Sequence, residues 1–329
     1  MRITVLSGGV GGARFLSGLR EIIDADADAI TVIGNTADDI WLFGLRVCPD
    51  LDTVMYTLGG GIDAERGWGR QQETWLAKEE LSAYGVEPSW FGLGDRDLAT
   101  HLVRTQMLNA GFPLSEVTRA LCARWSPGVD LLPMTDDRVE THVVIDDPQA
   151  PGGRRAVHFQ EYWVRLHAPE AHDVRPVGAD ESRPAPGVVE AIATADIVIL
   201  PPSNPVVSIG TILAVPGIRE ALRDTPAAVV GVSPIVSGAP VRGMADRLLP
   251  VIGVEVSAAA VGAHYGSRTR GGLLDGWLVD SSDVGAVAEL ERGALRTRAM
   301  PLMMSDLAAT AAIARAALEL GQRAGTGAV

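Results

Sequence analysis

The chain has 329 residues, 47% of them hydrophobic, and its 28 Lys plus Arg against 41 Asp plus Glu leave a net charge of −13. Length and apolar content suit an enzyme-sized packed core and exclude wholesale disorder. The acidic balance argues against nucleic acid as a partner, and it means that any polyanionic ligand needs a cation held locally. Two cysteines, Cys48 and Cys122, make no disulfide framework and lack metal-site spacing, which fits a reducing cytoplasm. No apolar run reaches the roughly 18 residues that span a bilayer, and the chain opens on a strand-like run, so neither a membrane protein nor a secreted scaffold is expected.

In chain order, residues 3–6 (ITVL) predict a buried strand. The loop Ser7-Gly8-Gly9-Val10-Gly11-Gly12 follows, then a helix over 13–23 and a second strand over 30–33 (ITVI), ended by Gly34-Asn35. Strand, glycine loop, helix, strand is a βαβ unit and implies a parallel sheet. Asp50-Leu51-Asp52 after Pro49 is expected to be extended, which turns both carboxylates to one side. Between about 61 and 184 the alternation of strands and helices is lost. Helices are predicted over 75–84 and 98–110, a β-hairpin over 139–145 and 156–164, and an exposed loop over 167–186. Short apolar runs at 196–200, 227–232 and 274–279 predict further strands covered on both faces. A closing helix is expected over 305–320 with Ser305 as N-cap, and residues 324–329 are expected to fray. The whole reads as one α/β domain, 1–329, with residues 61–184 as an insertion covering the carboxyl edge of the sheet.

Five features can carry chemistry. The amides of Gly8, Gly9, Gly11 and Gly12 can approach phosphate with help from the helix N-terminus, and the same glycines also make a tight strand-to-helix turn. Neither common phosphate-loop pattern is met. Arg14 stands where a dinucleotide fingerprint from Gly9 needs its last glycine, and no Gly-Lys-Ser/Thr follows. Asp38, Asp39, Asp50, Asp52 and Asp63 offer hard oxygen ligands that suit Mg²⁺, or else form a solvated acidic surface. Gly94-Asp95-Arg96-Asp97 opens a helix; Asp95 can cap it and Arg96 can pair with its neighbours for under about 1 kcal/mol, or Arg96 can present a fixed guanidinium to a planar or anionic ligand. Ser203 and Asn204 in a proline-rich loop, with Ser208 to Thr211 beyond, and Ser233 after the next strand, offer donors and acceptors at one sheet edge or are turn chemistry. His101 on a helix reads as structural. Trp41, Trp68, Trp75 and Trp90 precede Arg96 and either stack a flat heterocycle or pack the core.

Taken together, SGGVGGAR (7–14), NTADDIW (35–41), CPDLDTVMYT (48–57), GDRDLATH (94–101), LPMTDDR (132–138), PSNPVVSIG (202–210) and SPI (233–235) resemble the 2-phospho-L-lactate transferase family, the CofD/FbiA enzymes of coenzyme F-420 biosynthesis. The opening GGVGGARF and the stretch over 58–75 are similar to the actinobacterial branch, the phosphoenolpyruvate transferases. The resemblance implies a Rossmann-like, mostly parallel sheet flanked by helices, with an inserted α+β subdomain, and a homodimer. It implies transfer from a GDP-activated three-carbon acid to the deazaflavin FO (7,8-didemethyl-8-hydroxy-5-deazariboflavin), releasing GMP, with Mg²⁺ required. The donor is enolpyruvyl-diphospho-5'-guanosine, giving dehydro-coenzyme F-420-0, or its phospholactyl counterpart, and the choice stays open. By the same resemblance Asp52 and Arg96 contact FO. Asp50 and Asp52 are catalytic, and Asp38, Asp39 and Asp50 hold the metal. Gly8, Gly9, Gly11, Gly12, Asn35, Ser203, Asn204 and Ser233 hold the nucleotide. Two other classes remain for the residues alone: a dinucleotide-dependent oxidoreductase, against which Arg14 and Asn35 stand, and a non-catalytic nucleotide sensor of the same fold.

Overall fold

The computed structural model describes residues 1–325, with side chains through residue 322. Its frame is a seven-stranded sheet in the order Arg296–Met300, Gly276–Asp280, Ala228–Val232, Ile197–Leu200, Arg2–Ser7, Ala29–Gly34, Asp130–Pro133, and every neighbouring pair runs parallel. Successive side chains of a strand point to opposite faces, and both faces here are covered. Leu6, Ile33, Val198, Leu200 and Val229 enter one apolar core. Ile3, Val5, Ile30, Val32, Ile197 and Ile199 enter the other, where they meet Phe15 and Leu16 of the Gly9–Arg20 helix and Ile313 and Ala317 of the C-terminal Leu307–Gly325 helix.

The strand order places the site. From Arg2–Ser7 the chain builds outward to Ala29–Gly34 and Asp130–Pro133 on one side, and the strands of this sheet from residue 197 onward all lie on the other. The winding therefore reverses between Arg2–Ser7 and Ile197–Leu200, and the crevice outside their carboxyl ends is where open parallel sheets take ligands. Three antiparallel strands flank this edge: Arg154–His158, Glu140–Asp146 and Ala171–Val177, with Glu140–Asp146 in the centre.

Several local expectations are corrected. Residues 49–52 are not extended: Pro49–Leu58 is a helix with proline at its first position, where the missing N–H costs nothing and φ is already helical. The expected loop over 167–186 contains the strand Ala171–Val177; it is an edge strand, where a proline such as Pro176 is tolerated. The second arm of the predicted hairpin stops at His158, and Glu161–Arg165 forms a short π-helix. Asp306, not Ser305, caps the last helix, its carboxylate accepting from the Ala309 amide at 2.8 Å. The sequence reading did not foresee the strands Asp130–Pro133 and Arg296–Met300 or the Leu114–Trp125 helix. Asp130–Pro133 lies inside the 61–184 segment yet pairs with Ala29–Gly34 as an edge of the main sheet. Most of the 324–329 tail lies outside the described residues.

Candidate active site

The glycine loop and the 201–205 loop meet at the crevice. Ser203 Oγ accepts from the Gly8 amide at 3.2 Å and donates to the Gly8 carbonyl at 2.8 Å. Gly9 turns the chain with φ +61°, a conformation that favours glycine. At Gly11 a Cβ would lie 2.5 Å from the Pro202 carbonyl oxygen, so glycine there is demanded by the close approach of the two loops. The Gly9–Arg20 helix begins without a side-chain cap, and its first amides face the crevice end of the strand.

Asn35, wholly buried, joins the elements around the crevice. Its Oδ1 accepts from the Ala37 amide at 3.0 Å and the Thr211 hydroxyl at 2.8 Å. Its Nδ2 donates to Asp50 at 3.0 Å and to the Val207 carbonyl at 3.2 Å. Asp50 is 8% exposed and Asp38 4%. Burial, only partly offset by the Asn35 bond, pushes the Asp50 carboxyl up to about 7. Burial and then the Asp50 charge push Asp38 well above the usual carboxylate range. Asp38 Oδ1, Ser7 Oγ and Thr36 Oγ1 are buried without a hydrogen-bond partner. Orphaned buried polar atoms are costly and rare, and here they gather at the ends of the first two strands.

Asp52 enters a different pocket. Two positions along a helix turn the side chain by about 200°, so Asp50 and Asp52 diverge where an extended chain would have aligned them. Asp52 Oδ1 accepts from the buried Arg104 guanidinium, while Oδ2 lies 3.8 Å from His101 Nδ1 and has no hydrogen-bond partner. His101 Nε2 is 3.4 Å from Asp97, which also accepts from the Tyr56 hydroxyl at 2.6 Å. Burial raises the Asp52 pKa, and the Arg104 and His101 charges oppose it. Asp39 has its own cation: its carboxylate accepts from Arg46 at 3.0 Å, and burial against that pairing leaves it at about 6.

The remaining residues singled out by sequence take varied places. Asn204 accepts from the amides of Val206 and Val207 at 2.9 and 3.3 Å and so shapes its own loop. Ser233 closes its own turn, donating to the Ile235 carbonyl at 2.8 Å and accepting its amide at 3.1 Å. Asp95 does not cap its own helix; it accepts from the amides of Leu76 and Ala77 at 3.0 and 2.9 Å and so caps the Leu76–Ala83 helix. With Asp95 and Asp97 engaged elsewhere, Arg96 is no surface ion pair. Its side chain is exposed, and among the described residues its guanidinium has no partner. Trp68 and Trp75 both face the Arg66 guanidinium, 5.2 Å from each ring. Sequence reasoning missed Arg46 and Arg104, and read His101 as structural. Asp97, His101 and Arg104 recur at helical spacing, a periodicity that marks a shared face.

Among the described residues no three acidic, His or Cys side chains converge as a ready metal site. Mg²⁺ does not require one, since it keeps several waters and is bound through one or two carboxylates plus substrate phosphates. The Asp38–Asp50 pair, with an orphaned oxygen and no protein cation beside it, fits that donor set.

The family model described as 2-phospho-L-lactate transferase CofD matches residues 3–307. Phosphoenolpyruvate transferases of Streptomyces griseus and Streptomyces coelicolor are each 67% identical over 323 residues, covering 98% of this chain and 99% and 98% of theirs. One from a Mycobacterium species (strain JLS) is 58% identical over 332 residues, covering 97% of this chain and 98% of its own. The crystal structure of protein BH3568 from Bacillus halodurans superposes with a TM-score of 0.62 over 96% of this chain and 99% of its own at 17% identity, a likeness of fold. Among the described residues no helix is long and apolar enough to cross a membrane.

Proposed function

Because the chain belongs to the 2-phospho-L-lactate transferase CofD family, we propose that it moves an enolpyruvyl-phosphate group from enolpyruvyl-diphospho-5'-guanosine to FO in coenzyme F-420 biosynthesis. Membership in a transferase family sets aside the oxidoreductase reading. The enolpyruvyl donor is taken from the relatives named for phosphoenolpyruvate. The observation that carries the proposal is the Asp38–Asp50 pair, buried without a cation, at the mouth of an uncapped glycine loop.

Phosphoryl-type transfer asks for positioning and charge neutralisation more than for covalent help from the protein. Ser203 fixes the glycine loop through Gly8, and the amides beyond Gly9 in the uncapped first turn of the Gly9–Arg20 helix present fixed dipoles to the donor's diphosphate. Asn35 fixes the orientation of Asp50, and Asp38 and Asp50 would hold Mg²⁺. When bound, the ion supplies charge neutralisation across the diphosphate and on the departing GMP. The FO hydroxyl oxygen attacks the phosphorus bearing the enolpyruvyl group, the phosphorus–oxygen bond to GMP breaks, and the hydroxyl proton passes to the free Oδ2 of Asp52. Arg104 holds that carboxylate still, and burial raises its affinity for the proton. Arg96, exposed and unpartnered, contacts the FO ring system.

Mass spectrometry of the products tests the proposal. FO, the enolpyruvyl donor and Mg²⁺ should give dehydro-coenzyme F-420-0 and GMP in equal amounts. Faster turnover of the phospholactyl donor would reassign the donor, and no product from either would overturn the reading.

A further inference from the structure

At the opposite edge of the sheet lies a cavity of about 470 Å³ that the proposed reaction does not use. Arg219, Arg223, His264, Arg270 and Glu289 line it, together with the glycine-rich turn 266–272. The turn precedes the strand Gly276–Asp280, and Arg219 and Arg223 precede Ala228–Val232. The cavity therefore opens at the amino ends of these parallel strands, whereas Gly8, Asn35 and Ser203 sit at carboxyl ends.

We propose that this cavity is a second, non-catalytic binding site for a phosphate-bearing small molecule of mononucleotide size. Three observations carry it. In a chain of net charge −13, three arginines line one hollow, and among the described residues its one lining carboxylate is the exposed Glu289. Neither Arg219 nor Arg223 has an ion pair or hydrogen bond to its guanidinium among the described residues, and Arg270 spends one nitrogen on the Arg292 carbonyl at 3.0 Å. Burial first, and then the neighbouring Arg223 charge, push Arg219 below its ordinary range, with the Glu220 charge opposing. Glu220, on the same helix as Arg219, is turned back to the Gly217 amide at 2.9 Å.

The second observation is that the wall is built and rigid. Arg268 donates to the carbonyls of Thr225 and Ala227, each at 3.0 Å, and pairs with Asp275 at 3.3 Å, so the turn is bolted to the chain that enters the sheet. Gly266 and Gly271 adopt φ +68° and +85°, and a Cβ on Gly272 would lie 2.3 Å from the Gly266 carbonyl carbon. The third is size and lining. The volume falls in the roughly 300–1,000 Å³ range of small-molecule sites, and Leu273, Leu290 and Leu295 give an apolar floor beside the arginines. Planar guanidiniums that fork onto phosphate oxygens, above an apolar floor, suit a phosphate joined to a flat or apolar body.

Hydrogen–deuterium exchange on the full chain, with inorganic pyrophosphate and with GMP as probes, locates binding by segment. Both should protect 262–273 and 217–224 at millimolar or lower concentration, and the tighter of the two tells whether the site prefers a nucleotide or a simple phosphate compound. The exposed pair Arg223→Ala/Arg270→Ala should weaken that protection tenfold or more. Protection of 7–14 by the same probes should be unchanged, which separates this site from the proposed donor site. Arg223→Lys/Arg270→Lys keeps the charge without the fork and should recover part of the affinity. Protection absent from 262–273, or equal in wild type and the alanine pair, would overturn the proposal whatever happens at 7–14.

Discussion

The two sides of the Pro49–Leu58 helix make an instructive pair. Both bury a carboxylate in the first turn, where the helix dipole favours negative charge. On one side Asp52 meets Arg104, and the chain has supplied its own cation. On the other Asp50 meets Asn35 and the charge of Asp38, with only neutral donors and a second acid. Burying a charge without a counter-ion is expensive, so the second pocket is tolerated only because protons or an outside cation occupy it. The first pocket is stable architecture that also holds a carboxylate for work. The second takes its compensating charge from outside the chain.

That contrast is open to direct attack. The largest effect should come from Arg104→Met, which leaves Asp52 buried and unpaired and should cost on the order of 3–5 kcal/mol in denaturant titration. Adding Asp52→Asn should return much of that loss, since the stranded charge is gone. A silent single variant would show that solvent already reaches Asp52, and the comparison would fail.

Next is Asp50→Asn, which should lower transfer by on the order of 100-fold, about 2.7 kcal/mol in the barrier, while leaving the fold intact. It should also stabilise the protein. A carboxyl held at about 7 when folded binds its proton more tightly than in the unfolded chain. Stability is therefore lost as pH rises from the ordinary carboxylate range, and the loss is complete above about 7. The melting temperature of the variant should exceed that of wild type by more at pH 8 than at pH 5. A gap that narrows toward pH 8 would contradict the raised pKa.

The same pocket yields a metal prediction with a readout apart from turnover. At pH 8, Mg²⁺ should raise the melting temperature of wild type by a few degrees, as a ligand of the folded state does. It should do little for Asp50→Asn. EDTA should abolish transfer, and Mg²⁺ should restore it. Equal stabilisation of both proteins would move the cation elsewhere.

Legibility followed the range of the interactions. The βαβ opening was readable because strand, glycine loop and helix are local, and their composition states their period. The edge strands Asp130–Pro133 and Ala171–Val177 were hidden because one is only four residues long and the other carries charge and proline, both tolerated at an edge. In the site, Asp38, Asp50 and the glycine loop could be named from the chain. That Asp50 and Asp52 part company could not, because that turns on whether Pro49 starts a helix or ends a loop. Arg104 lies 52 positions from Asp52, and no local pattern announces such a partner.

The smallest effect concerns Arg96, the converse of Asp50: a cation for which the chain supplies no anion. Its neighbours are spoken for, Asp95 by the Leu76–Ala83 helix and Asp97 by Tyr56 and His101, while Arg70 takes its backbone carbonyl at 3.1 Å. The backbone is thus fixed and the side chain is free, as suits a group that waits for a ligand. If that ligand is FO, the plane and fork of the guanidinium matter, because the deazaflavin offers a face for stacking and polar edges for paired hydrogen bonds. Lysine keeps the charge and loses both. Arg96→Lys should therefore weaken FO binding about tenfold, roughly 1.4 kcal/mol, and should leave stability unchanged because no intramolecular contact is lost. Affinity for guanosine nucleotides should hardly move, since the glycine and Ser203 loops lie elsewhere. FO is fluorescent, and a direct titration reads the change. Undiminished FO affinity in the lysine variant would remove Arg96 from the acceptor site and leave Asp52, with its free Oδ2, as the residue to test there.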